Sequence, residues 1–229
     1  MPHAVHPIID VNCQTSIWNI GTNYNSAHSL AQAGHVGRQL PQDFKSQMIK
    51  LIAFAIGTAL LAYISRRSLQ LPRSHGFYRF FAWESILGLI LLNISRWETT
   101  PFAPHQLISW TLLFLSVFLV AHGVRMLQVV GRPDENRPDS ELLAFEKTTR
   151  LVTVGVYKYI RHPLYASLLF LAWGASLKDI TVPSLLLAVT ASLFLLLTAK
   201  SDESECLLHF GNEYRAYMQK TKMFIPFII

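Results

Sequence analysis

The chain has 229 residues, of which 51% are hydrophobic and only 15% charged. Soluble domains carry about 25% charged residues, so this composition, with a mean hydropathy of +0.30, excludes a disordered chain and argues against a water-soluble globule. The net charge of +6 does not imply nucleic acid as a partner, because the basic residues sit between apolar runs and form no stripe interleaved with aromatics.

Residues 1–45 are polar, with scattered Gly, Asn and His, and are expected to form a loosely ordered N-terminal extension. They open without a basic segment followed by an apolar one, so no cleaved signal peptide is expected. Cys13 and Cys206 lie far apart in unlike surroundings, which implies neither a disulfide framework nor a metal cluster.

Residues 46–130 contain three apolar runs: Leu51 to Ser65, Phe80 to Ile94 and Leu107 to Val130. Two more follow, Pro163 to Leu177 and Ile180 to Ala199. The expected fold class is all-α, an integral membrane protein of about five transmembrane helices in a lipid bilayer. The shorter runs fall below the roughly 20 residues a spanning helix prefers and must borrow flanking residues. Glu84 lies inside the second run, where burial costs about 2.5 to 3.5 kcal/mol. It is either functional or, one turn from Arg79, a side chain reaching back to the interface. Asn93 and His122 are expected to hydrogen-bond between helices.

Lys and Arg set the orientation. Arg66, Arg67, Arg73 and Arg79 follow the first run, Arg132, Arg137, Lys147, Arg150 and Lys158 lie between Arg125 and Arg161, and Lys200, Arg215, Lys220 and Lys222 lie in the tail. The other side has Arg38, Lys45 and Lys50, then only Arg96 and Lys178. An N-terminus outside the cytosol and a cytosolic C-terminus follow.

Residues 131–229 begin with a Pro-containing charged loop, Gly131 to Asp139, and a short amphipathic interfacial helix in SELLAFEK, from Ser140. Only Lys178 and Asp179 separate the last two runs, so residues 163–199 should form a tight antiparallel hairpin. The residues before it, near Tyr157 to Tyr165, are thereby brought close to those after it, near Lys200 to Phe210.

The first of these segments reads LVTVGVYKYIRHPLY, Leu151 to Tyr165. Pro163 suits a first helical turn, where its missing N–H has no partner to lose. His162 falls at the N-cap, and Lys158 and Arg161 are expected to face headgroups. The second reads DESECLLHFGNEYRAY, Asp202 to Tyr217. Three acids directly after a spanning helix, at a C-terminus that disfavours them, call for a cationic partner. Phe210 and Gly211 read as a stop, and Asn212 restarts a cytosolic amphipathic helix presenting Tyr214, Tyr217 and Met218.

Gly155, Tyr157, Arg161, His162, Pro163 and Tyr165 match a G-x-Y-x-x-x-R-H-P-x-Y signature, and Asp202, Glu203, Phe210, Gly211, Tyr214, Tyr217 and Pro226 match a second motif. In this the chain resembles, over roughly residues 145–227, the integral-membrane methyltransferases related to isoprenylcysteine carboxyl methyltransferase and phospholipid methyltransferase. The resemblance implies a catalytic C-terminal region that binds S-adenosylmethionine at the cytosolic face and methylates a lipophilic substrate, in the endoplasmic reticulum and without a metal. By position it assigns the cofactor to Thr149, Arg150, Leu151, Val152, Tyr157, His162, Pro163, Leu164, Tyr165, Asp202 and Glu203.

The sequence also departs from that pattern. Thr198 stands where the isoprenylcysteine enzymes have an Arg that addresses the substrate carboxylate, Lys200 is the nearest cation, and Leu142 replaces a glutamine. Thr198 and Lys200 are the substrate-binding candidates. Cys206 stands at a usually apolar position and is expected to pack. An acceptor that must lose a proton needs a base, and His162 is a candidate. Two other functions fit the fold: an NADPH-dependent sterol-type reductase, whose tails resemble Asp202, Cys206, Phe210, Gly211, Tyr214 and Tyr217, and a catalytically silent membrane scaffold.

Overall fold

The apolar runs form helices, and polar caps set where two of them start. In a computed structural model that describes residues 41–97, 101–133 and 147–226, six α-helices follow one another: α1 Gln42–Ile64, α2 His75–Asn93, α3 Pro104–Val129, α4 Pro163–Ser176, α5 Val182–Phe210 and α6 Asn212–Lys220. α2 begins five residues before the apolar run because the Ser74 hydroxyl accepts the Phe77 N–H at 3.2 Å. α5 begins where the Thr181 hydroxyl accepts the Ser184 N–H at 3.4 Å, and it continues through Asp202 and Glu203 to Phe210. Gly211, with φ +58°, ends it where the sequence places a stop. The SELLAFEK segment before Lys147, Leu142 within it, and residues 1–40 lie outside the described residues.

The result is an all-α integral membrane protein. Four helices (α1, α2 with the turn after it, α3 and α5) are long and apolar enough to cross a bilayer, and α4 is a shorter apolar helix. At 1.5 Å per residue the 14 residues of α4 cover about 21 Å, less than the roughly 30 Å hydrocarbon core. The 29 residues of α5 cover about 43 Å. The open end of the hairpin is therefore uneven. Asp202 meets the start of α4 about 20 residues along α5, roughly one hydrocarbon thickness from its first turn.

Within the body that starts at Ile49, α2 packs on α5 and α3 on α4. Ala172, Ala175, Ala188 and Ala191 are fully buried at these contacts, which lets the backbones approach. Apolar side chains that protein does not cover, such as Ile52, Ile56, Phe114 and Val117, are exposed on α1 and α3, as lipid-facing residues should be.

Polar groups tie the closed end of the hairpin to its neighbours. The Ser109 hydroxyl donates to the Gly174 carbonyl at 2.6 Å. Asn93 donates to the Ala175 carbonyl and to Ser184, both at 2.9 Å, as expected of an interhelix residue. Lys178 is buried, with Nζ 3.1 Å from Gln106 Oε1 and 3.6 Å from the centroid of the Trp110 ring. His122 differs from the expectation and stacks on Phe118. Glu84 does not reach for the interface: its Oε2 accepts the Thr58 hydroxyl at 2.8 Å, between α2 and α1.

Candidate functional site

The signature is held in place from both sides. Gly155 takes φ +63° in a short 3₁₀ turn, Gly155–Lys158, that turns the chain toward His162, the N-cap of α4. Beyond α6 the chain runs alongside this segment: the Arg161 N–H donates to the Lys222 carbonyl at 2.7 Å, the His162 N–H to Met223 at 3.1 Å and the Lys222 N–H to Tyr159 at 3.1 Å. The Tyr217 hydroxyl donates to the Tyr157 carbonyl at 2.6 Å. A Cβ on Gly155 would lie 2.7 Å from His122 Nε2 and 3.1 Å from Met126 Sδ, in a backbone conformation that L-residues avoid. Gly155→Ala is accordingly expected to lower stability by about 1 to 3 kcal/mol, seen as an earlier thermal unfolding midpoint in detergent.

Charges from three elements meet at the open end of the hairpin. His162 Nδ1 lies 3.4 Å from Asp202 Oδ2 and its Nε2 lies 3.5 Å from Glu203 Oε1. Arg161 differs from its expected headgroup role: its Nε donates to Glu203 at 2.7 Å, and its Nη1 donates to the carbonyls of Met218 and Thr221. The cations that the three acids call for are thus supplied by the protein itself. The Cys206 thiol donates to Asp202 Oδ1 at 3.6 Å, one turn along α5, so it does more than pack.

Burial opposes a charge on His162, but the carboxylates of Asp202 and Glu203 outweigh it and hold the imidazole pKa above its usual 6.5. Both ring nitrogens face carboxylates, which favours the charged form and leaves neither nitrogen turned to a substrate as a base. Burial pushes the phenols of Tyr214 and Tyr217 up, so both stay neutral. Because the folded-state pKa of His162 is raised, its contribution to stability is complete below 6.5 and is lost as pH rises through the elevated value. The unfolding midpoint should fall as pH rises from 6.5 through the elevated value and level off above it, and His162→Gln should flatten the dependence.

These groups border a cavity of about 660 Å³. Leu151, Val152 and Tyr157 line it from the connector, His162, Pro163, Leu164 and Tyr165 from the start of α4, and Asp202 from α5. Glu203 sits behind His162 and is engaged by Arg161. Thr149 and Arg150 are exposed on the connector, where the Thr149 hydroxyl donates to the Arg132 carbonyl at 2.9 Å. Thr198 is buried, with its hydroxyl returned to the Phe194 carbonyl at 2.7 Å, and Lys200 is exposed. None of these last four residues is among those lining the cavity.

Sequence reasoning missed a third wall. Arg73, Ser74 and His75, just before and at the start of α2, also line the cavity, as does Glu205. Arg73 adopts φ +77°, and its carbonyl accepts the Ser201 hydroxyl at 2.7 Å. Both oxygens of Glu205 face His75: Oε1 accepts its backbone N–H at 3.0 Å and Oε2 lies 2.5 Å from Nδ1. The available signal was topological, since the loop after the first run and the tail had both been assigned to the same side of the bilayer.

A helical hairpin in the bilayer with a charged cavity at its open end defines an integral membrane protein with an interfacial pocket. The phospholipid methyltransferase family model matches residues 105–210, farther upstream than the two motifs and through nearly all of α3. Methanethiol S-methyltransferase of Pseudomonas deceptionensis is 27% identical over 148 residues, which are 65% of this chain and 50% of that protein. Methanethiol S-methyltransferase 1 of Bradyrhizobium diazoefficiens is 30% identical over 118 residues, 51% of this chain and 38% of the relative. A probable protein-S-isoprenylcysteine O-methyltransferase of Oryza sativa subsp. indica is 34% identical over 86 residues, 37% of this chain and 44% of the relative. The matched stretch is thus similar to the phospholipid methyltransferase family, and the chain spans at most about half the length of these relatives.

Proposed function

We propose that the protein is an S-adenosylmethionine-dependent membrane methyltransferase whose acceptor is a hydrophobic molecule reaching the cavity at one face of the bilayer. The observation that carries this reading is the convergence of the buried His162 and Tyr165 and the partly exposed Asp202 on one cavity of about 660 Å³. The donor set suits a sulfonium: Asp202 offers negative charge, and the rings of Tyr157 and Tyr165 offer faces on which a cation gains about 0.5 to 2 kcal/mol. Arg73, which also lines the cavity, offers a cation for a ligand carboxylate. S-adenosylmethionine supplies an electrophilic methyl group, and the protein's part is alignment, exclusion of water and a fixed electrostatic field.

Relatives named for methanethiol and for isoprenylcysteine offer two acceptor chemistries. Thr198 and Lys200 lie off the cavity wall, which favours a hydrophobic thiol over a prenylcysteine carboxylate. The distribution of Lys and Arg supports placing the site in the cytosol. Calorimetry on the detergent-solubilised protein tests the proposal, with S-adenosylmethionine expected to bind and NADPH not. Binding of NADPH alone would favour the reductase, and binding of neither would leave only a scaffold.

A further inference from the structure

On the reading above, a thiol must lose its proton before or as its sulfur takes a methyl group, and both ring nitrogens of His162 already face the carboxylates of Asp202 and Glu203. The cavity wall holds a second pair. His75, the first residue of α2, is 1% exposed, and its Nδ1 sits 2.5 Å from Glu205 Oε2. Glu205 is different: 39% of its side chain is open, and it lines the cavity. One ring nitrogen of His75 and one carboxylate oxygen each of Asp202 and Glu205 all lie within 4.8 Å of one another. The proposed proton acceptor is therefore beside the carboxylate proposed to hold the donor's positive charge.

We infer that Glu205, oriented by His75, is the base that takes the proton from a protic acceptor of the thiol class. The geometry separates the two roles. His75 fixes the carboxylate through its ring and its backbone N–H, the latter at a helix start where an anion is favoured; Oε1 also accepts the Ser201 hydroxyl at 3.4 Å, while Oε2 keeps a second lone pair to accept a proton. In the step, the acceptor S–H bond breaks and its proton passes to the Glu205 carboxylate. The sulfur lone pair forms the new S–CH₃ bond as the C–S bond of the sulfonium donor breaks with its electron pair, leaving a neutral thioether. The proton then leaves Glu205 for water, and charge and atoms balance. Glu205 is the catalytic residue, and His75 is a positioning residue.

The test separates this role from a structural one by changing acceptor acidity. Methyl transfer from radiolabelled S-adenosylmethionine is measured with methanethiol, which is mostly protonated at neutral pH, and with thiophenol, which is largely ionised there. Glu205→Gln should lower kcat/KM for methanethiol by about 100-fold or more, the low end for general-base catalysis, and leave thiophenol within a few-fold. His75→Phe should show the same selectivity to a smaller degree, and His75→Asn, whose amide can still donate to Glu205, should restore it. Independently of turnover, the S–H stretching band of bound methanethiol should lie lower in the wild type than in Glu205→Gln. Calorimetry should find donor affinity unchanged in that variant, showing that the pocket is intact. Equal losses with both thiols, a rate abolished by a chelator, or donor binding without thiol turnover would overturn the inference and leave the proposed function standing. A wild type that does not bind the donor would instead remove the proposed function.

Discussion

Asp202→Ala is expected to raise the Kd for S-adenosylmethionine by about 30-fold or more, and Asp202→Asn to do nearly the same. Asp202 is the acid of the post-hairpin segment that both lines the cavity and contacts His162 at 3.4 Å. Removing one partner from a desolvated charge pair costs about 2 to 5 kcal/mol, and 2 kcal/mol is close to 30-fold in affinity. The Asn variant keeps the shape of the side chain, so a matching loss would assign the effect to charge. His162→Ala should also weaken binding, because the stacked His162–Tyr165 pair forms part of the wall. Unchanged donor affinity in both Asp202→Ala and His162→Ala, measured by calorimetry, would mean that the pocket is not the donor site.

Arg161→Met is expected to be the most destabilising single change at the signature. Its guanidinium serves Glu203 at 2.7 Å and, through Nη1, two carbonyls at the end of α6. Only 11% of either side chain in the Arg161–Glu203 pair is exposed. Breaking such a pair costs about 3 to 5 kcal/mol, because an unpaired buried charge remains, whereas removing both partners costs less. The double variant Arg161→Met, Glu203→Met should therefore recover part of the loss. Arg161→Lys should not rescue it, since a single ammonium cannot reproduce a planar fork directed at three acceptors. Denaturation in detergent and protease cleavage near Lys222 both report the effect, and a double variant no more stable than Arg161→Met would contradict this account.

The parts of the molecule that could be read from sequence are those decided over short stretches. A two-residue gap between apolar runs dictates a hairpin whatever surrounds it, and Phe210-Gly211-Asn212 carries its own stop and restart. The signature brings Gly155, Pro163 and the N-cap His162 together within nine residues. What could not be read depends on packing. Arg161 looks like a headgroup ligand until Glu203 is brought beside it, and Lys178 counts as a marker of topology until Gln106 and Trp110 close over it. His75 lies 80 residues before the signature, at a helix start hidden by a polar cap, and no periodicity links it to Glu205. Thr198 and Lys200 were placed by analogy with the isoprenylcysteine enzymes, and the first turns back onto its own helix while the second faces outward.

Polar ties fasten the hairpin at both of its ends. Ser109, Asn93 and Gln106 bind the turn to α2 and α3, and in hydrocarbon such bonds have no water to replace them; at the other end Arg161 and His162 are fastened to Glu203, Asp202 and the chain after α6. α4 is thereby a short strut clamped top and bottom, and a greasy guest would have to reach the cavity by displacing side chains rather than by tilting the helix.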